Sequence, residues 1–308
     1  MQQSVSLFVT LEDAKELFLT AMLAEGFSET TLRNYRCILG LFERFLKQRG
    51  VHTLQQVTPE AVRQWLVFKR ENGVSPHHIL NCYRLPRRWW RWLMAEGLVQ
   101  DDAFANVRKP RTPQIIKSAL DEAQVAALLR AASEGKGWLA LRNRALVMML
   151  LSSGLRATEA HRLKVRDVLQ SSGNIIVYGK GGKMRIVPLL PEVKLAIQRY
   201  LIANPFKPQQ DDPLWWGING ALTLGALKHA VYDLAKRAGI RAGPHALRRT
   251  FATRLLQDGV SMEHVRQLLG HSGYAVIKQY VALTQVDLME AAVQHNPLRS
   301  YRQRKPDL

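Results

Sequence analysis

The chain has 308 residues, 47% of them hydrophobic, which provides for a substantial core and suggests two domains rather than one. Its net charge of +19 and isoelectric point near 10.3 point to a polyanionic partner, nucleic acid being the economical choice, while the core-forming composition argues against a disordered basic tail. The start lacks a basic segment followed by an apolar one, and the longest strongly apolar run, 145–151, is too short to span a bilayer, so a cytoplasmic protein without a membrane partner is expected. Cys37 and Cys82 are the only cysteines, and no C-x-x-C or H-E-x-x-H occurs, so neither a disulfide framework nor a zinc site is implied.

From residue 11 to 97 the apolar spacing predicts helices. Ser28 opens one in which Leu32, Tyr35, Leu39, Phe42 and Leu46 recur at helical intervals up to Gly50. Thr58 and Pro59 suit an N-cap and a first helical position, starting a helix that runs through Trp65 toward Asn72-Gly73. Ser75-Pro76 repeats that signal. The segment behind it puts Arg84, Arg87, Arg88 and Arg91 on one helical face, which suits a phosphate backbone; the bland alternative is a solvated basic face over an aromatic core. Pro86 removes a hydrogen bond inside this segment, which predicts a kink or two shorter helices. Trp89, Trp90 and Trp92 are expected to pack rather than to stack on bases.

The stretch 101–118 carries Pro110 and Pro113 among Arg108, Lys109 and Arg111, without clear periodicity. This predicts a helical domain over 1–104, a basic linker over 105–117 and a second domain over 118–308. The second domain opens with helical patterns, including the apolar run 145–151, and continues into Arg156-x-x-Glu159, a spacing that by itself fits a surface ion pair. Two β-rich runs, 174–178 and 184–188, flank Gly179-Lys180-Gly181-Gly182, so a hairpin with Lys180 at its tip is expected. A glycine and then a strand follow that lysine, which is not the pattern of a P-loop. Scaffold helices joined by a loop through Asp211-Asp212-Pro213 are expected over 191–239, with Trp215 and Trp216 packed.

Residues 243–280 gather the chemistry. His245 and Arg248 lie three apart on a helix opening after Gly243-Pro244, so they share a face able to grip one anion. Leu247, Phe251 and Leu255 bury the opposite stripe and leave that polar pair free. The helix stops near Gly259. Ser261 is placed to cap a second helix carrying Val265, Leu268 and Leu269, with Gly270 as its stop. His271 follows, and Ser272 is placed to cap a third short helix delivering Tyr280.

The run H-A-L-R-R-T-F-A-T-R-L-L from His245, then L-G-H-S with His271, then Tyr280 nine residues beyond that histidine, resembles the signature of the tyrosine recombinases, the phage integrase and Xer-type family. Ser153-Gly154-Leu155-Arg156-x-x-Glu159 resembles the family's first arginine box. Lys180 matches its hairpin-turn lysine, with Lys183 the fallback. The resemblance spans nearly the whole chain and departs from many members at Arg249, where a second histidine is common. It implies a mainly α (α+β) fold: an N-terminal helical, SAM-like core-binding domain and a mostly helical catalytic domain with a small antiparallel sheet, closing on opposite sides of a DNA duplex.

Phosphodiester transfer to a tyrosine needs a phenol in line with phosphorus, positive charge on the non-bridging oxygens and a proton for the departing 5′ oxygen. The resemblance implies that Tyr280 attacks double-stranded DNA to form a 3′-phosphotyrosine, while Arg156 and Arg248 clamp the phosphate and Glu159 orients Arg156. Lys180 would protonate the leaving oxygen, His245 assist proton transfer, and His271 bind the phosphate or position the tyrosine. Tyr274 is a competing phenol at the wrong spacing. No cofactor, metal or nucleotide is implied, because arginines take the electrostatic role. The implied activity is site-specific recombination by a synaptic tetramer, monomeric or dimeric when free, that integrates a mobile element or resolves DNA dimers. A type IB topoisomerase and a catalytically retired DNA-binding protein are the alternatives. The tail beyond residue 287 is expected, from position alone, to dock on a neighbouring protomer.

Overall fold

The computed structural model describes residues 9–113, 118–179 and 184–270. The chain divides into two compact units, Met1–Ile115 and Ile116–Leu308, each with its own hydrophobic core.

The first unit is helical: α1 (Leu11–Ala24), α2 (Glu29–Lys47), α3 (Pro59–Glu71) and α4 (Pro76–Ala95). Each starts where an oxygen-bearing side chain takes an otherwise unpaired N–H: Thr10 from Asp13, Ser28 from Thr31, Thr58 from Ala61 and Ser75 from His78. Helices α1, α2 and α4 pack on one another and α3 packs on α2 and α4, burying Phe18, Phe42, Trp65, Trp89 and Trp90 almost completely. Trp92 is half-buried with its ring centroid 5.4 Å from that of Phe18, so all three tryptophans of α4 pack as expected. A buried carboxylate, Glu43, ties α2 to α1 by accepting from Lys15 at 2.8 Å, and it meets Lys47 at 2.7 Å. Burial pushes this carboxyl up, but hydrogen bonds from the two lysines prevail and hold it below its ordinary value.

Pro86 corrects one expectation. It lies inside a single uninterrupted helix of 20 residues rather than between two shorter ones. A proline at this position leaves the carbonyl four residues back, that of Cys82, without its helical donor. The Trp65 indole N–H supplies the missing bond, donating to Cys82 O at 3.0 Å from the facing helix α3. The carbonyl is therefore satisfied within the core, and the helix continues.

The second unit contains α5 (Glu122–Ser133), α6 (Trp138–Ser153), α7 (Ala157–Arg162), α8 (Val165–Leu169), β1 (Asn174–Tyr178), β2 (Met184–Pro188), α9 (Pro191–Ala203), β3 (Trp216–Gly217), β4 (Gly220–Ala221), α10 (Leu224–Arg237), α11 (Pro244–Gln257) and α12 (Met262–Leu269). Helix α6 is its centre and packs against α5, α9, α10 and α11. Ala145, Leu146, Val147, Met149 and Leu150 have no exposed surface, as the apolar run predicted. Strands β1 and β2 pair antiparallel with Ile176 opposite Ile186, and Ile175, Val177 and Val187 face the core. The loop expected around Pro213 in fact carries the short β3–β4 hairpin. Buried Arg142 anchors that hairpin to α6 through the Trp216 carbonyl at 3.0 Å, and the Trp215 indole donates to Ala160 O at 2.9 Å. Among the described residues, no helix is long and apolar enough to cross a membrane.

Candidate active site

Helix α6 ends at Gly154, which adopts the left-handed conformation (φ +59°) that glycine takes most easily. A Cβ there would lie 2.4 Å from the Phe251 ring of α11, so the turn is also too close to its neighbour for a side chain. Leu155 then plugs the core with no exposed surface, and Arg156 becomes the residue before α7 rather than a member of it. Its backbone N–H donates to Glu159 Oε2 at 2.7 Å and its Nη1 to Glu159 Oε1 at 2.8 Å. The surface ion pair that spacing alone allowed is excluded, because the Glu159 side chain is only 2% exposed. One carboxylate thus caps α7 and aims the arginine that precedes it.

A second arginine saturates the same carboxylate. Arg185, the second residue of β2, donates Nη1 to Oε1 at 2.7 Å and Nη2 to Oε2 at 2.8 Å, the two-pronged geometry peculiar to guanidinium. Arg248 of α11 brings a third charge, with its Nη1 3.8 Å from Oε2. Burial pushes the Glu159 carboxyl up, but hydrogen bonds from Arg185, the Arg156 backbone and the Arg156 side chain bring it down to about 2. Three guanidiniums around one carboxylate leave two positive charges in surplus. Arg156, whose side chain is 29% exposed against 4% for Arg248, is the one best placed to meet an anion from solvent.

The same arginines hold the end of α12. Arg185 Nε donates to Leu268 O at 2.8 Å, Arg248 Nη2 to Leu269 O at 2.6 Å, and Arg156 Nη2 to Gly270 O at 3.5 Å. A helix C-terminus presents unpaired carbonyls and a partial negative charge, so cations are its natural caps. Helix α12 itself starts and stops as predicted, with Ser261 capping it and Gly270 left-handed at φ +61°.

Arg248 requires a correction. The sequence predicted that it would share a free polar face with His245, but it is 3% exposed and donates to Gly154 O at 2.6 Å as well as to Leu269 O. The i, i+3 spacing holds, yet this turn of α11 packs on the α6–α7 turn, so the longer side chain is drawn inward. His245 remains at the surface. Desolvation and then the charges of Arg248, Lys228, Arg156 and Arg249 push its imidazole below the ordinary value, which favours the neutral ring. It borders an open cavity of about 710 Å³ that Tyr232, Lys236, Arg241, Gly243 and Arg249 also line, with no acidic residue in the wall among the described residues.

Lys180, Lys183, His271, Tyr274, Tyr280 and the C-terminal tail lie outside the described residues. In the first unit, Arg84, Arg88 and Arg91 are exposed on α4, as a basic face requires. Arg87 is half-buried and donates to the Tyr83 hydroxyl, while the Arg88 guanidinium lies 4.6 Å from the Phe27 ring centroid. Sequence reasoning missed Arg185. The available signal was strand alternation: Arg185 shares the inward phase of buried Val187, and an inward-facing guanidinium demands a carboxylate.

Comparison with known proteins bears on this arrangement. The sequence profile described as the phage integrase family matches residues 118–286, and that of the phage integrase N-terminal SAM-like domain matches residues 15–97. Tyrosine recombinase XerC of Rhodospirillum centenum is 32% identical over 265 residues, covering 83% of this chain and 78% of that protein. Tyrosine recombinase XerD of Pseudomonas putida is 31% identical over 287 residues, covering 91% and 96% respectively. Among solved structures, a lambda integrase dimer bound to a COC′ core site aligns with a TM-score of 0.72 at 19% identity, over 88% of this chain and 77% of that one. The XerA recombinase aligns at 0.51 and 25% identity, over 93% and 99%. The mainly helical fold and the two profile matches agree, and the chain belongs to the phage integrase family of tyrosine recombinases.

Proposed function

We propose that this protein is a site-specific DNA recombinase that cleaves and rejoins duplex DNA through a 3′-phosphotyrosine. The observation that carries the reading is the Glu159-centred arginine cluster, in which a saturated carboxylate leaves two positive charges in surplus beside partly exposed Arg156. Such preorganised charge stabilises the pentacoordinate phosphoryl transition state without waiting for solvent to reorganise.

In this reading the Tyr280 phenolate oxygen bonds to the scissile phosphorus and the bond from phosphorus to the 5′ oxygen breaks. Lys180 gives that oxygen its proton, leaving a free 5′ hydroxyl. Arg156 contacts a non-bridging oxygen directly. Arg248, which already holds the Gly154 and Leu269 carbonyls, adds charge from just beneath. His245, kept neutral by its surroundings, is suited to take the phenol proton. His271 binds the phosphate or positions the tyrosine. The reverse reaction by a 5′ hydroxyl from another duplex rejoins strands without a nucleotide, since the phosphotyrosine retains the bond energy.

The basic face of α4, with Arg84, Arg88 and Arg91 exposed, is assigned to the phosphate backbone, and a tetramer assembled on two sites is the proposed working form. A solved neighbour, a lambda integrase tetramer bound to a Holliday junction at TM-score 0.72, supports the tetramer by analogy of fold. Integration of a mobile element and resolution of DNA dimers both use this chemistry. Nicked suicide duplexes tiled from DNA around the gene test the reading: a covalent adduct on denaturing gels from wild type and none from Tyr280→Phe is expected. Adducts from both proteins would move the nucleophile, first to Tyr274, and adducts from neither despite DNA binding would overturn catalysis.

A further inference from the structure

Arg185 is a closely engaged cation of the catalytic unit. Its side chain is 9% exposed, and it makes two hydrogen bonds to Glu159 and one to the Leu268 carbonyl, using three of its five N–H groups on two elements distant in sequence. Its aliphatic stem also fills the space over Gly270, where a Cβ would come within 2.9 Å of Arg185 Cδ. The residue is too enclosed to meet a phosphate directly. Everything it touches, however, is one step from a group with a proposed chemical role.

We propose that Arg185 is a positioning residue for DNA cleavage, locking Glu159, and through it Arg156, to strand β2 and to the C-terminus of α12. The consequence follows from connectivity. Lys180 belongs to the segment leading into β2, Arg156 takes its aim from Glu159, and His271 follows Gly270 directly. One guanidinium therefore fixes three origins, from which the proton donor, the phosphate clamp and the second histidine leave. Without it, Glu159 would face Arg156 from the turn before α7 and Arg248 from α11, with one fork of hydrogen bonds missing, and the Leu268 carbonyl would lose its cap. The carboxylate would then be free to swing, and Arg156 with it. Lysine at this position restores the charge but not the fork, so it should recover part of the loss.

The inference rests on the recombinase reading, and its test separates the two. Wild type, Arg185→Met and Arg185→Lys are compared for DNA binding, thermal unfolding and single-turnover adduct formation on a suicide duplex between pH 4 and pH 8. Arg185→Met should bind the duplex as wild type does yet cleave it about 100-fold more slowly, as expected for a misplaced catalytic group. Its rate should also gain a steeper fall below pH 5, because Glu159 then titrates nearer the ordinary carboxylate range, and Arg185→Lys should recover part of both effects. No adduct from wild type would overturn the recombinase reading itself. Equal rates and equal pH profiles in wild type and Arg185→Met would overturn the role of Arg185 alone. Loss of rate in proportion to loss of folded protein, with an unchanged pH profile, would also overturn it by reducing the residue to a structural brace. Should Arg185→Met fail to fold, Gly270→Ala displaces the same side chain from the other side, and wild-type kinetics from that variant would count against the proposal.

Discussion

Arg248 donates to the carbonyl of Gly154 at 2.6 Å across a separation of 94 residues, joining the turn that aims Arg156 to the helix that carries His245. Gly154 can accept that bond because its left-handed backbone turns the carbonyl toward α11, and because hydrogen is all that fits against Phe251. Gly154→Ala should therefore combine φ strain with overpacking and cost about 2–4 kcal/mol. Urea unfolding followed by far-ultraviolet circular dichroism would measure the loss. A cost below about 1 kcal/mol, the size of an ordinary surface change, would mean that Phe251 yields and the contact is soft.

Glu159 offers a pH-dependent test. Its carboxyl is held at about 2 in the fold against an ordinary 4.5, so its stabilising effect is complete above pH 4.5 and disappears as pH falls toward 2. The shift corresponds to an order of about 3 kcal/mol. Glu159→Gln should destabilise the protein by about 3–5 kcal/mol near neutrality, because it leaves three guanidiniums around a neutral amide. That difference from wild type should shrink steadily below pH 4.5, and a constant difference would show that the charge of Glu159 is not what holds the cluster.

The indole–carbonyl bond beneath Pro86 predicts a compensating pair. Trp65→Phe leaves the buried Cys82 carbonyl without a donor and opens a small void, a loss of about 2–4 kcal/mol. Pro86→Ala supplies a backbone N–H in helical position to the same carbonyl. The double variant should be more stable than Trp65→Phe alone by about 1 kcal/mol or more. Peptide-resolved hydrogen exchange over α3 and α4 would report this, and simple additivity of the two changes would contradict the compensation.

The proposed role of His245 makes a prediction about the acid side of the reaction. Since its surroundings push the imidazole below 6.5, the neutral form predominates from that pH upward. If the neutral ring accepts the phenol proton, the acid limb of single-turnover cleavage should have its midpoint below pH 6.5. His245→Gln should slow cleavage by roughly 100-fold or more and flatten this acid limb. An acid limb centred above 6.5 in wild type would assign it to another group.

Much of this was legible along the chain because it is set by neighbours in sequence. The caps at Ser28, Thr58, Ser75 and Ser261, the stop at Gly270, the buried run in α6 and both strands of the hairpin follow from spacing and local hydrogen bonding. The same holds for Arg156 and Glu159, which pair within one turn, and for the motif that carries family membership. What the sequence could not decide was where long side chains end. Pro86 sits in an unbroken helix because an indole from α3 reaches its orphaned carbonyl. Arg248 is buried because its turn of α11 lies against Gly154, and Arg185 belongs to the site because strand alternation turns it inward onto a carboxylate 26 residues away. Local hydrogen bonds act over three or four residues and can be read from spacing, whereas a buried charge is satisfied only by whatever partner the packed chain brings to it.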